Sequence, residues 1–458
     1  MPIENEIHEK LVTLLDERKY SEFMREIDEF NPVDAAEFLT LLESERLPAV
    51  FRLLKKDTAA DVFAELDVEL QEEIIKAMTD RELSRIIEDL FVDDAVDMLE
   101  EMPANVVKRI MKNASPETRQ MINKFLNYSE DSAGSVMTAE YIAVRANMTV
   151  SQSLEYIRRT GVDKETVYIV YVTNTRRVLE GTFELKELIF ASPDTLIEEI
   201  MESDPVSVTT TDDREAVASL ISKYDLLALP VVDKENRLVG IVTVDDALDV
   251  IEEETTEDIE KMAAILPNDK PYMRTGIFET WKKRIPWLLL LMISATFTST
   301  IITFYESAIS ASGLIILTAF MPMLMDTGGN AGGQASVTVI RSLSLGDIQL
   351  GDFLKILWKE FRVSLLCSAT MAIATFAKVM LVDRMYTYEN GLMIALVVSL
   401  TLGCAIIVAK VVGSMLPILA KRIGLDPAVM ASPFITTIVD ALTLVIYFQL
   451  ISRILNVY

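Results

Sequence analysis

The chain has 458 residues, half of them hydrophobic, and a formal net charge of -27. A surface that acidic repels nucleic acid and anionic lipid headgroups and attracts cations. A single histidine excludes histidine-based zinc or proton-shuttle chemistry. The two cysteines, Cys367 and Cys404, lie in separate apolar stretches, which excludes a disulfide framework or a CxxC site.

Charge and hydrophobicity sit in different places. From Trp281 onward there are 9 acids and 13 bases, and before it 61 acids and 30 bases. The length allows two to four domains. The opening MPIENEIHEK has neither a basic n-region nor an apolar h-region, so no signal peptide is expected.

Residues 1–130 carry a helical pattern almost throughout. Related phrases recur at Asp34-Ala-Ala-Glu-Phe-Leu, Thr58-Ala-Ala-Asp-Val-Phe-Ala-Glu-Leu and Asp94-Ala-Val-Asp-Met-Leu-Glu-Glu-Met, each placing small and large apolar residues on one face. Their unequal spacing predicts a short superhelical stack of helices, not a strict repeat. Asp93 and Asp97 lie four apart on one helical face, where like charges repel unless a cation or solvent intervenes.

From about 136 to 253 the character changes. The apolar segments Val167-Tyr-Ile-Val-Tyr-Val172 and Leu229-Pro-Val-Val232 each precede a further strand and a helix. Gly240-Ile-Val-Thr-Val-Asp-Asp246 reads as strand into helix, and the matching place in the first copy is Gly181-Thr-Phe-Glu-Leu-Lys-Glu187. Two copies of this kind predict a paired α/β regulatory module. Between Asp245 and Glu260, 9 of 16 residues are acids and none is basic. Such a run usually marks a solvated face. Here it leads straight to the first membrane span, so whatever neutralises it can pull on that span.

Five spans follow, at Ile285–Tyr305, Ser307–Ile340, Val363–Val382, Gly391–Ala420 and Pro427–Ser452. Basic residues at Lys282, Lys283, Arg284, Arg341, Lys355, Lys359, Arg362, Lys421 and Arg422 place the acidic half in the cytosol and the carboxyl terminus outside. The second and fifth spans are unusual. Asp326-Thr-Gly-Gly-Asn-Ala-Gly-Gly-Gln334 should break a lipid-facing helix and line a cavity, or else serve close helix packing. Asp440 sits in mid-span, where a carboxylate costs roughly 2.5–3.5 kcal/mol on insertion scales. It is either a functional group or the partner of Lys378 or Lys410.

Magnesium fits such a path. It is a hard octahedral ion that surrenders water reluctantly and needs a carboxylate or two with carbonyl and amide oxygens facing its hydration shell. The absence of a soft ligand at comparable depth argues against copper or zinc, while manganese and cobalt remain open.

At this point the chain resembles the MgtE family of magnesium channels over essentially its full length. Asp131-Ser-Ala-Gly-Ser-Val-Met-Thr138 is similar to the entry into that family's first CBS domain. Pro322 with Gly328-Gly-Asn-Ala-Gly-Gly-Gln334 resembles its second span, and Asp426-Pro-Ala-Val-Met-Ala-Ser-Pro-Phe-Ile-Thr-Thr-Ile-Val-Asp440 its fifth. The resemblance implies a multidomain membrane protein: an all-α superhelical N-terminal domain (1–130), an α/β CBS-domain pair (131–195 and 196–253), an acidic connecting helix (254–284) and a five-helix transmembrane domain (285–458).

What the resemblance implies for function is specific. The expected protein is a homodimer in the bacterial plasma membrane, surrounded by lipid and binding no nucleic acid. It is not an enzyme but an Mg2+ uptake channel closed by cytosolic Mg2+. Asp440 would be the selectivity carboxylate. Gly328, Gly329, Asn330 and Thr436 would line the pore with Asp326, where the family often has an uncharged residue; Asp326 is a second pore carboxylate or the partner of a lysine. Asp93, Asp97, Asp246, Asp249, Glu254, Glu257, Asp258 and Asp426 would hold regulatory Mg2+. Some members bind ATP at the CBS pair, and Thr243 and Asp246 match the ribose and phosphate positions, although the first copy lacks the equivalent Thr and Asp. The rival readings are a broader Mn2+/Co2+ transporter, a non-conducting Mg2+ sensor, a CBS-bearing anion channel and an enzyme. The last has no nucleophile–base grouping or Gly-rich phosphate loop in the soluble half.

Overall fold

Three-to-four-residue apolar spacing dominates the first 125 residues, and short helices are the result. The computed structural model describes residues 2–268, 272–273, 275–311, 315–430 and 432–455. The chain divides into two compact units, Met1–Ile251 and Glu252–Tyr458.

The first unit begins with ten helices: α1 (Pro2–Asp16), α2 (Tyr20–Ile27), α3 (Pro32–Thr40), α4 (Leu47–Phe51), α5 (Lys56–Ala64), α6 (Val68–Ala77), α7 (Asp80–Asp89), α8 (Val92–Glu101), α9 (Ala104–Asn113) and α10 (Pro116–Phe125). Sequence punctuation sets their ends. The Asn31 side chain caps α3 just ahead of Pro32, Thr79 and Glu82 form a reciprocal capping box on α7, and Ser115 caps α10. Each cap is worth roughly 1 kcal/mol. The apolar faces meet in one core that includes the fully buried Phe23, Phe38 and Phe63, and that core continues into Val208, Val217, Leu229 and Val250. The expected helical stack is thus fused to the α/β part by shared packing.

Two sheets with the same local topology follow. In the first, β1 (Ala143–Val144) pairs parallel with β2 (Ile169–Thr173), which pairs antiparallel with β3 (Leu179–Glu184), and β4 (Glu202–Ser203) closes the edge. In the second, β5 (Val208–Thr209) pairs parallel with β6 (Ala228–Val232), which pairs antiparallel with β7 (Leu238–Thr243). Helices α11 (Val150–Thr160), α12 (Leu185–Phe190), α13 (Ile197–Ile200) and α14 (Arg214–Tyr224) complete the pair.

The internal repeat extends to single atoms. Asn174 Oδ1 accepts from the backbone of Arg176 and Val178, and Asp233 Oδ1 accepts from that of Glu235 and Arg237. The two turns then exchange reciprocal bonds, Leu179 N to the Asn236 carbonyl and Leu238 N to the Arg177 carbonyl. Arg177 and Asn236, at matching places, both adopt positive φ.

Strand β7 runs directly into α15 (Val244–Met262). The acidic run therefore does not start a helix of its own over 254–284. It continues a helix begun at Val244 and stops at Met262, where Ala264 takes positive φ and Ile265 N bonds back to the Glu260 carbonyl. Lys282, Lys283 and Arg284 belong instead to α16.

The second unit holds α16 (Ile277–Ala311), α17 (Met321–Ser344), α18 (Phe353–Leu381), α19 (Gly391–Arg422) and α20 (Ser432–Leu455). Central α19 packs on α17, α18 and α20, and α16 lies along α20. Among the described residues four helices are long and apolar enough to cross a membrane, and α17 is not one of them, because it carries Asp326, Asn330, Gln334 and four glycines. The expected second span, Ser307–Ile340, divides differently. Helix α16 extends to Ala311, α17 begins at Met321, and residues 312–314 of that expectation lie outside the described residues.

Of the two readings of the glycine run, a helix break and close helix packing, the structure shows the second. Helix α17 is unbroken, with Gly328, Gly329, Gly332 and Gly333 buried. A Cβ on Gly332 would meet Ile435 and the Ala409 carbonyl, and one on Gly329 would lie 2.8 Å from Thr436. The roughly 1 kcal/mol that each glycine costs a helix is offset by the close approach of two neighbours.

Candidate cation path and cation-sensing acids

The backbone crossings just described put α17 and α20 side by side. Gly328 abuts Val439 and Thr443, Gly329 abuts Thr436, and Gly332 abuts Ile435. Asp440, half-buried, therefore lies level with the start of the glycine run, and the charge it feels is that of Asp326. Asp326, Asn330 and Gln334 recur every fourth residue and are all exposed, forming a polar stripe along α17. Thr436 is half-buried, with its hydroxyl turned back to the Pro433 carbonyl.

The alternative partners considered for Asp440 do not pair with it. Lys378 pairs with Asp383 at 2.8 Å and lies over the Phe320 ring. Lys410 is buried within α19. Neither forms an ion pair with Asp440 or Asp326 among the described residues. A polar stripe and a carboxylate at this depth have to face water or another protein surface, since hydrocarbon cannot solvate them.

The candidate sensing acids fall into two sets, one in each unit. In the first, the start of α8 meets the start of α15. Asp93 and Asp94 lie within electrostatic reach of Asp246, and Glu165 within reach of all three. Burial pushes the Asp93 carboxyl well above its ordinary range, with Asp94, Asp246 and Glu165 adding repulsion. One Asp93 oxygen, Oδ1, is buried without a hydrogen-bond partner. Burial also raises Asp94 to about 6, helped by Asp246, Glu65 and Asp61, and raises Glu165 to about 7, helped by Asp246, Asp245 and Asp94. Asp246 is raised too, by burial, although it accepts bonds from Thr243 N at 3.2 Å and Thr243 Oγ1 at 2.6 Å. Asp249 adds to the field on Glu65. Asp97 is on the exposed side of α8.

An orphaned buried carboxylate oxygen surrounded by repelling acids fits a cation. Even so, among the described residues no three acids already converge closely enough to hold a metal. Asp61, Glu65, Asp94 and Glu165 were not picked out from sequence. The first two sit at i and i+4 inside a repeated phrase and Asp94 directly follows Asp93, so a helical wheel would have flagged three of the four. Glu165 comes from a connection in the first α/β copy, and only the fold brings it here.

In the second unit, Glu254, Glu257 and Asp258 share the end of α15. Asp258 accepts from Ser344 Oγ at 3.0 Å, and burial raises its carboxyl. Lys261 donates to Glu257 at 2.5 Å and to Asp426 at 2.7 Å. Asp426 Oδ1 also accepts from Ala428 N, capping the turn Pro427–Met430 that leads into α20. Behind these polar contacts, Met262 packs on Ile340 and Ala428.

A cavity of about 440 Å3 opens beside Thr243, lined also by Glu165, Thr166, Tyr168 and Asp245. It is large enough for a nucleoside. Its lining holds two carboxylates and no base, so a phosphate chain there would need a cation to accompany it.

Three comparisons bear on this arrangement. A divalent cation transporter family profile, MgtE, matches residues 321–450, the MgtE intracellular N domain matches 30–131, and the CBS domain matches 197–253. A magnesium transporter MgtE of Thermus thermophilus is 38% identical over 94% of this chain and 95% of its own, and one of Bacillus subtilis is 29% identical over 98% and 97%. Among solved structures, the cytosolic domain of the Mg2+ channel MgtE in complex with ATP is 40% identical. It covers 53% of this chain and 99% of that one, with a TM-score of 0.50. The soluble part of a magnesium transporter is 30% identical, covering 55% and 99%, with a TM-score of 0.53.

Proposed function

Because the chain belongs to the MgtE family of magnesium transporters, we propose that it conducts Mg2+ through its membrane unit and is closed by cytosolic Mg2+ acting on the two acid sets. The single observation that carries the conduction path is the alignment of half-buried Asp440 with the exposed stripe Asp326, Asn330 and Gln334 across the α17–α20 crossing. Carboxylates and amides facing a water-filled path hold a hydrated Mg2+ without stripping it. Gly328 and Gly329 keep α20 close enough for Asp440 and Thr436 to share that path.

A second copy of the chain would cover the polar stripe and double the carboxylates around the path, so the working form is a homodimer. It lies in the plasma membrane of a bacterium, with the acidic unit in the cytosol and the carboxyl terminus outside, a reading that the basic residues flanking the apolar helices support.

Regulation follows from the electrostatics. In the first unit Asp93, Asp94, Asp246 and Glu165 repel one another, with Asp97 and Asp249 at the margins. In the second, Glu254, Glu257, Asp258 and Asp426 gather where α15 ends. When bound, Mg2+ supplies the positive charge that lets each set close up, and a protein with two arrangements is biased toward the compact one. Thr243 and Asp246 make the cavity beside them a nucleotide site, and its acidic lining selects ATP accompanied by Mg2+.

Mg2+ flux into proteoliposomes tests the reading, with internal Mg2+ varied and Asp440→Ala as the pore variant. Flux is expected to vanish in the variant and to fall in the wild type as internal Mg2+ rises. Flux that survives Asp440→Ala would remove the pore assignment, and flux indifferent to internal Mg2+ would remove the sensing one.

A further inference from the structure

Helix α15 carries nine acids and one base, and that base is Lys261 in its last turn. A cation at a helix C-terminus is favoured by the helix dipole, but here the ammonium does more. It donates to Glu257 one turn back on its own helix and to Asp426 on the link between α19 and α20. All three side chains are about two-thirds buried or more. The opposite oxygen of Asp426 caps the turn that starts α20, the helix of Asp440. Next along the chain, Met262 packs against Ile340 of α17. Lys261 thus ties the end of the acidic helix to the start of α20, and its neighbour Met262 packs that end against α17.

We propose that Lys261 is a tethered counter-ion that occupies Glu257 and Asp426 while Mg2+ is scarce and has to be displaced before Mg2+ can use them, so that it sets the Mg2+ concentration at which this unit responds. The inference rests on the regulatory reading of Glu257 and Asp426 given above. Its physical content is competition. An ammonium between two carboxylates already satisfies them, and a divalent ion gains their charge only by breaking both ion pairs. Removing the ammonium leaves two carboxylates unneutralised, which strengthens the site for Mg2+ and weakens the docking of α15 without it. Lys261 is a positioning residue, since it acts through the carboxylates and not on the conducted ion.

Thermal unfolding of the full chain in detergent tests this, starting in EDTA and titrating MgCl2. The readouts are the Mg2+ concentration at half-maximal stabilisation and the metal-free Tm. Lys261→Gln is expected to lower the midpoint by about threefold or more and to lower the metal-free Tm. Lys261→Arg, which keeps both ion pairs, is expected to match the wild type. Lys355→Gln removes the same charge from the exposed Lys355–Asp352 pair and controls for net charge. A midpoint in Lys261→Gln that is unchanged or raised, or matched by Lys355→Gln, overturns the proposal, and a lowered Tm alone would make Lys261 a structural tie only. Glu257→Gln separates the two levels. If it shifts the wild-type midpoint and Lys261→Gln does not, only the counter-ion role fails; if it has no effect, the regulatory reading fails and takes the counter-ion role with it.

Discussion

A Cβ placed on Gly413 of α19 would lie 2.2 Å from the carbonyl oxygen of Gly332 on α17. Backbone meets backbone there, and no side chain can move aside. Gly413→Ala is expected to push α17 from α19, lowering stability by about 1–3 kcal/mol and reducing Mg2+ flux with it. Gly351→Ala, where a Cβ meets nothing within 4 Å, is expected to stay within about 0.5 kcal/mol of the wild type. Thermal unfolding in detergent compares the two.

The acids shared by α8, α15 and Glu165 make a pH prediction with a definite sign. Asp94 and Glu165, raised to about 6 and about 7, stay protonated in the folded protein at pH values where the unfolded chain, with carboxyls near 4, has released its protons. The folded state binds more protons, so stability falls as pH rises from about 4 to about 7, and the penalty is complete above that. In EDTA, Tm is expected to be higher at pH 6 than at pH 8. Asp94→Asn should flatten the difference, and Mg2+ should recover Tm most at pH 8. A Tm that rises with pH over this range would contradict the assignment.

The cavity beside Thr243 carries Glu165 and Asp245 and no base. Nucleotide binding there is expected to require Mg2+, and isothermal titration of ATP in EDTA should show at least tenfold weaker binding than with MgCl2. Asp246→Ala also strips the Thr243 hydroxyl of its partner and should weaken binding in both conditions. Equal affinity with and without Mg2+ would place the phosphates elsewhere.

Asp326 occupies the exposed stripe and contributes the charge felt by Asp440. Asp326→Asn is expected to raise the external Mg2+ needed for half-maximal flux several-fold while leaving flux at saturating Mg2+ detectable, in contrast to Asp440→Ala. Concentration-dependent uptake into proteoliposomes distinguishes these. An unaltered dependence would take Asp326 out of the path.

Much of the architecture was legible in residue order. Apolar periodicity separated the helical stack, the duplicated α/β module and the membrane helices, because each pattern reports a local period that burial must satisfy. The match between Asn174 and Asp233 was not legible, since their identical turns are made by different residue types. Residue order could not choose between a break and close packing at the glycine run, because helix propensity is a local quantity, whereas the approach of Ile435 and Ala409 is not.

The chain's order and composition by themselves determined which stretches are polar and which apolar, that the first half carries a large excess of negative charge, and that Asp440 is out of place in hydrocarbon, since these follow from the charges and transfer free energies of single residues. Only the tertiary structure decided which acids share a field, because Asp94, Asp246 and Glu165 come from three distant segments. It alone also decided that Lys261 lies between Glu257 and Asp426, because that depends on where α15 ends and what packs against it, and a Coulombic interaction depends on distance in space, not along the chain.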